Sequence, residues 1–131
     1  AAWYLLGILA MKLKNYELAH EYFERALLIK KKQEYLMFDG LAYLETLDVE
    51  EAERRFLEYL ELKPDDSEVN FYLAVCYLLQ GDPRSRDAIA RAYAIDKKKT
   101  KMMLQDFFHE VIEKNPAFSE SVKNEIRKKI G

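Results

Sequence analysis

Apolar residues recur every three to four positions along most of the chain, which is the period of an α-helix with one buried side. Asn15, Asp48 and Asp82 interrupt this pattern at places where a short side chain can accept hydrogen bonds from the free N–H groups of a helix start. The segment "LKPDDSE" is typical of a loop, with Asp66 or Ser67 as the cap of the helix that follows. No strand-like alternation occurs, so the pattern predicts an all-α protein.

Two stretches depart from the amphipathic pattern because they carry no charged residue. They are "AAWYLLGILAM" at the start of the chain and "FYLAVCYLL" in its middle. A helix that is apolar on every side is normally covered on every side, so something is expected to pack over these two. Each stretch is about half as long as a helix that crosses a bilayer, and no membrane span is expected.

The chain repeats itself at an offset of 33 residues, at which "NYELAHEYFERALLIK" aligns with "DVEEAERRFLEYLELK". Gly7 then corresponds to Gly40, and Phe23 to Phe56. A third copy follows at nearly the same period, with an inner loop expected to be one residue short. We predict three helix-turn-helix units at about 1–32, 33–66 and 67–97.

These residues resemble the tetratricopeptide repeat, whose signature is W-x-x-L-G-x-x-Y, then A-x-x-x-F-x-x-A, then P. The first two copies carry most of it, at Trp3, Leu6, Gly7, Ala19, Phe23 and Ala26, and at Gly40, Tyr43, Ala52, Phe56 and Pro64. The second copy has Asp39 at the leucine place, and the third has Ser85 and Ile89 at the alanine and phenylalanine places. The resemblance implies antiparallel helix pairs stacked as a right-handed α-solenoid.

Residues 98–131 are predicted to form a C-terminal helical pair, either a degenerate fourth repeat or two capping helices. The segment from Met102 to Ile112 is broadly apolar, and Asn115 with Pro116 is expected to start the last helix. That helix carries one narrow apolar stripe, as a terminal cap should. The stripe consists of Phe118, Val122, Ile126 and Ile130.

The resemblance also implies that the first helix of each unit lines a concave groove, with ligand contacts one step past the signature places. Those positions are all apolar, which predicts binding of an apolar peptide or of the apolar face of an amphipathic helix. They are Tyr4, Ile8, Met11, Met37, Leu41, Leu44, Phe71, Val75 and Leu78. The family's clamp for a terminal carboxylate is not expected, because Tyr4, Ile8, Glu68 and Tyr72 stand where it needs basic and amide side chains.

Two interpretations of the groove follow. In the first, the chain is a non-enzymatic scaffold whose partner is a protein or peptide with an apolar face. In the alternative, the chain is an accessory domain of a larger enzyme or assembly complex, and its own C-terminal helix or self-association as a homo-oligomer closes the groove.

Candidate chemistry is sparse. His20 is expected to be solvated beside Glu17 and Glu24, and His109 to belong to a surface charge network rather than a metal site. Cys76 lies in an apolar run and is expected to be a small buried side chain. No catalytic motif is present, so we predict no catalytic residue, metal or cofactor.

The net charge and the first residue of the chain predict its partner class, its missing N-terminus and its location. A formal charge of −2, and basic segments without interleaved aromatic residues, argue against nucleic acid as a partner. The chain opens on alanine rather than an initiator methionine, so we expect its N-terminus to be missing. A cytoplasmic location is the expectation for what remains.

Overall fold

The computed structural model describes residues 2–130, with side chains described as far as Lys128. The described residues contain no strand, and the all-helical prediction is confirmed. Ala1, Gly131 and the side chain of Ile130, which belong to the predicted units and stripe, lie outside the described part. The helices are α1 (Ala2–Lys12), α2 (Tyr16–Ile29), α3 (Gln33–Glu45), α4 (Val49–Leu62), α5 (Ser67–Leu79), α6 (Ser85–Ile95), α7 (Lys97–Phe107) and α8 (Glu120–Ile130).

Consecutive helices pack as pairs, and the pairs pack on one another. α1 lies against α2, α3 against α4, and α5 against α6. α2 also contacts α3, and α4 contacts α5, so each pair is joined to the next. Because every unit touches its neighbours in sequence, the architecture is a linear stack.

A phenylalanine under a glycine forms the centre of each of the first two pairs. Phe23 and Phe56 are fully buried, the first against Gly7 and the second against Gly40. A Cβ atom added to Gly40 would lie 2.6 Å from Cε1 of Phe56. The repeated glycine is therefore required by the close approach of an aromatic ring to the helix backbone.

The first helix of each pair ends in the same left-handed turn. Lys14 and Leu47 have φ of 60°, and Gly81 has φ of 69°. The N–H of the next residue donates to the carbonyl five positions earlier, as from Asp48 to Tyr43 at 2.9 Å. This helix-terminating motif reverses the chain and starts the second helix of the pair.

The third pair differs from the first two in its inner loop. Residues 80–84 separate α5 from α6, five residues where the earlier pairs have three. The predicted short loop is therefore wrong, and α6 is shifted relative to the predicted alignment. Ala88 and Ala92 are fully buried in place of Ser85 and Ile89.

The C-terminal segment folds back on the third pair. α7 packs against α5 and α6 and continues into a π-helical turn, Phe108–Ile112, in which the N–H of Glu113 donates to the Phe108 carbonyl at 2.8 Å. Phe108 and Ile112 are both buried, at 1% and 0% exposure. The wider π turn thus directs two large apolar side chains into the core.

The predicted start of the last helix is wrong. α8 begins at Glu120, where the Ser119 hydroxyl accepts from the N–H of Val122 at 3.2 Å. Asn115 caps a turn inside the preceding loop instead, because its side-chain oxygen accepts from the N–H of Ala117 at 2.9 Å.

Candidate interaction surfaces

The predicted groove residues lie on α1, α3 and α5, which are neighbours in the stack. None of the nine side chains is fully open to solvent; seven are partly buried, and Phe71 and Val75 are buried. Tyr4 shows why, because its ring lies 4.8 Å from that of Tyr35 and 5.9 Å from that of Phe38 on the next pair. The side chains of the row therefore pack partly between neighbouring helices and do not form a widely open groove.

The C-terminal segment covers the third part of this row. Phe71 and Val75, at 4% and 5% exposure, belong to one buried cluster with Leu104 and Phe108. The ring of Phe107 meets Phe71 edge-on at 6.1 Å. At this end the chain itself covers the predicted groove residues.

The part of the row on α1 and α3 remains partly accessible. It has six members, and no charged side chain interrupts it. They are Tyr4, Ile8, Met11, Met37, Leu41 and Leu44.

A cavity of about 790 Å³ lies between α5, α6, α7 and α8. Phe71, Ile89 and Phe118 contribute to its apolar lining. Arg86 of α6 and Glu125 of α8 also line it and form an exposed ion pair at 2.9 Å. α8 therefore spans the end of the stack without filling the space beneath it.

A buried polar network joins the first two pairs, and sequence analysis missed it. Asp39 is fully buried, and its carboxylate accepts from Nε of Arg55 at 2.8 Å while the other oxygen lies 2.7 Å from Nδ1 of His20. The ring of His20 stacks on Tyr43 at 3.7 Å. The prediction that His20 is solvated is wrong, because α3 brings Asp39 against it.

The same network affects the pKa of Arg55. Burial is the largest single effect and opposes the charged guanidinium, but Asp39, Glu58 and Tyr43 together outweigh it and raise the pKa of Arg55. Nε2 of His20 is buried and has no hydrogen-bond partner. The sequence signal was an aspartate at a place where the first copy has Leu6 and the third has Leu73.

The most exposed apolar row lies on the opposite side of α1 from the predicted groove, and we call it the leucine face. It consists of Leu5, Leu6, Leu9 and Leu13. Leu6 occupies a signature place of the repeat, yet it is 40% exposed. Spacing alone could have found the row, since Leu5, Leu9 and Leu13 recur every fourth residue.

The remaining titratable candidates show no site chemistry. Nδ1 of His109 lies 3.1 Å from Glu113 on an exposed surface, and residues 2–128 contain no group of three side chains suited to a metal ion. Burial raises the pKa of the Cys76 thiol to about 12, which keeps it protonated and unreactive near neutral pH. No helix within the described ranges is long and apolar enough to cross a membrane.

Comparison with known proteins agrees with this architecture. The solved structure of MamA AMB-1 in its P212121 crystal form matches with a TM-score of 0.71, at 18% identity, over 98% of this chain and 69% of that one. No curated protein sequence matches the chain. Residues 1–32 and residues 40–98 each match a family model described as the tetratricopeptide repeat. The chain therefore belongs to the tetratricopeptide repeat family, and its predicted fold class is confirmed.

Proposed function

We propose that this repeat array is a non-enzymatic scaffold that binds the apolar face of an amphipathic helix along α1 and α3. The family supplies protein-interaction modules in general, and the helix is our inference for this chain. The observation that carries the proposal is the uninterrupted apolar row from Tyr4 to Leu44, which remains partly accessible. Methionines at positions 11 and 37 add adaptable contacts of the kind found in grooves that receive helices.

The expected affinity is modest. Half-covering six such side chains contributes on the order of 4 to 9 kcal/mol. Association costs about 4 to 15 kcal/mol before any favourable contact is counted. A partner helix that is already folded loses less freedom on binding, so it should bind better than a flexible peptide of the same composition.

The test is a titration with a fluorescent amphipathic helix that carries leucines on one face. The control peptide has the same composition with its leucines scattered. Met37→Lys and Met11→Lys should each weaken binding of the helix by about tenfold or more, because each places a charge in the apolar row. Leu28→Lys, at a side chain that is 87% exposed on α2, should leave it unchanged. Equal binding of both peptides, or no effect of the Met37 and Met11 variants in proteins whose circular dichroism is native, would refute the proposal.

A second function is favoured by the burial of Phe71 and Val75 under the C-terminal segment. In this version the array is an accessory domain whose groove is partly closed by its own chain. Phe107→Ala removes the edge contact with Phe71 and should then increase affinity for the helical peptide. If the array is instead a scaffold whose groove on α1 and α3 is open, the same substitution should leave the affinity for the helical peptide unchanged.

A further inference from the structure

The leucine face is the strongest unexplained feature of the surface. Leu5, Leu6, Leu9 and Leu13 are 64%, 40%, 53% and 72% exposed. Gly7 and Ala10 of the same helix are buried, and Gly7 lies against Phe23 of α2. α1 contains no charged residue before Lys12.

The size of this face is that of the largest apolar patch on a typical monomer, and such patches are often functional. Four leucines at these exposures leave on the order of 400 Å² of apolar side chain uncovered, which is the size of patch that often marks an interaction site. Leu5, Leu6 and Leu9 lie on α1 and Leu13 lies in the turn that follows it, so a regular helix presents three of the four side chains. Rigid, uncharged helix faces pack by interdigitating their ridges.

We propose that a second copy of the chain covers this face through the same face of its own α1, in a two-fold antiparallel pair. Leu5 and Leu13 stand four residues on either side of Leu9, so the row is nearly symmetric about Leu9. In the pair, Leu9 contacts Leu9 of the other copy, and Leu5 contacts the other copy's Leu13. Such a self-complementary contact closes with two molecules.

Charge selects the antiparallel arrangement over the parallel one. Lys12 and Lys14 follow the row at one end only. A parallel pair would bring four lysines together, whereas the antiparallel pair separates them to opposite ends and places the positive N-terminus of each helix beside the negative C-terminus of the other. Two faces of about 400 Å² bury about 800 Å² in total, which is in the range of weak, transient interfaces, so the dimer is weak and concentration-dependent.

Sedimentation velocity across a concentration series tests the association. The unaltered chain should shift from monomer to dimer as concentration rises. Leu9→Lys should weaken this association by about tenfold or more, because it places two like charges at the centre of the contact. Leu28→Lys adds the same charge outside the face and should have no effect. A chain that stays monomeric at its highest soluble concentration, or that loses association equally in the Leu28 variant, would overturn the proposal.

Oxidative cross-linking tests the geometry separately. Cys76 is fully buried, so the unaltered chain should form no intermolecular disulfide. Leu9→Cys should form a covalent dimer by itself. Leu5→Cys and Leu13→Cys should cross-link when mixed but not alone, since the pair brings position 5 of one copy beside position 13 of the other. Cross-linking of Leu13→Cys alone, at the rate of the mixture, would indicate a parallel contact and would refute the two-fold antiparallel model.

Discussion

Replacement of Asp39 by leucine should destabilise the protein more than any surface change. Asp39 is fully buried and holds Arg55 and His20 from two different helix pairs, at 2.8 and 2.7 Å. Leucine is the residue at the equivalent place of the third copy, where Leu73 is buried, so the new side chain suits the repeat sterically. Any loss of stability should therefore come from the unpaired polar groups rather than from misfit.

The magnitude follows from what the substitution leaves behind. Removal of one partner from a buried ion pair costs about 3 to 5 kcal/mol. Arg55 is 20% exposed and keeps longer contacts to Glu58 at 3.5 Å and Glu24 at 3.8 Å, which places the loss near the lower end. We expect a decrease of about 3 kcal/mol in the free energy of unfolding, which corresponds to roughly 10 °C in melting temperature.

Urea unfolding followed by circular dichroism measures this change, with a matched surface variant beside it. Glu51→Leu breaks the exposed pair with Arg54, at 2.9 Å on the same α4 helix, and should cost at most about 0.5 kcal/mol. A triple variant, His20→Leu with Asp39→Leu and Arg55→Met, should recover most of the loss because no unpaired polar group remains. Two results would show that the network does not carry the stability assigned to it. One is a free energy of unfolding of Asp39→Leu within about 0.5 kcal/mol of that of the unaltered chain. The other is a triple variant that is no more stable than the single one.

Three further outcomes follow from the backbone and from the buried thiol. Gly40→Ala should lose about 1 to 2 kcal/mol in urea unfolding, because the crowding of Phe56 outweighs the helix propensity that alanine gains; a stabilised variant would contradict this. Leu47→Gly and Lys14→Gly should each gain about 0.5 to 1 kcal/mol, because φ of 60° strains a side-chain-bearing residue, and calorimetry that shows a loss would refute it. Cys76 should react with iodoacetamide only after unfolding. Its pKa is raised from 9.0 to about 12 in the folded state, so its contribution to stability is complete below pH 9 and is lost as the pH rises towards 12. Rapid labelling of the native protein at pH 8 would show that the thiol is accessible.

The sequence predicts the first two helix pairs well because their spacing is regular. Gly7 and Gly40, like Phe23 and Phe56, occupy corresponding buried places 33 residues apart. In the third pair the alignment fails, because a loop two residues longer shifts α6. Alanines occur at several places in α6, and an alignment by period alone does not identify which of them are buried.

The surfaces are harder to predict than the helices because they depend on contacts between distant segments. The groove residue Phe71 is buried only because α7 folds back on α5. Asp39 is visible in the sequence as a polar residue at an apolar place, but its partners come from α2 and α4, and their alignment requires the packed structure. Accessibility of Tyr4 or Met37 to a partner helix remains a prediction.

The order in which the units pack bears on how the chain folds. The largest buried cluster spans α3 to α6 and contains Leu36, Phe56, Leu73 and Cys76. Contacts between neighbouring helices in sequence dominate the stack, so little chain entropy is lost before a contact forms, and the topology favours rapid folding. In such a stack the central units are supported on both sides, so α1 and α8 at its ends should open and close most often. Amide hydrogens should therefore exchange slowest around Leu36 and Leu73, with protection falling towards both ends of the chain.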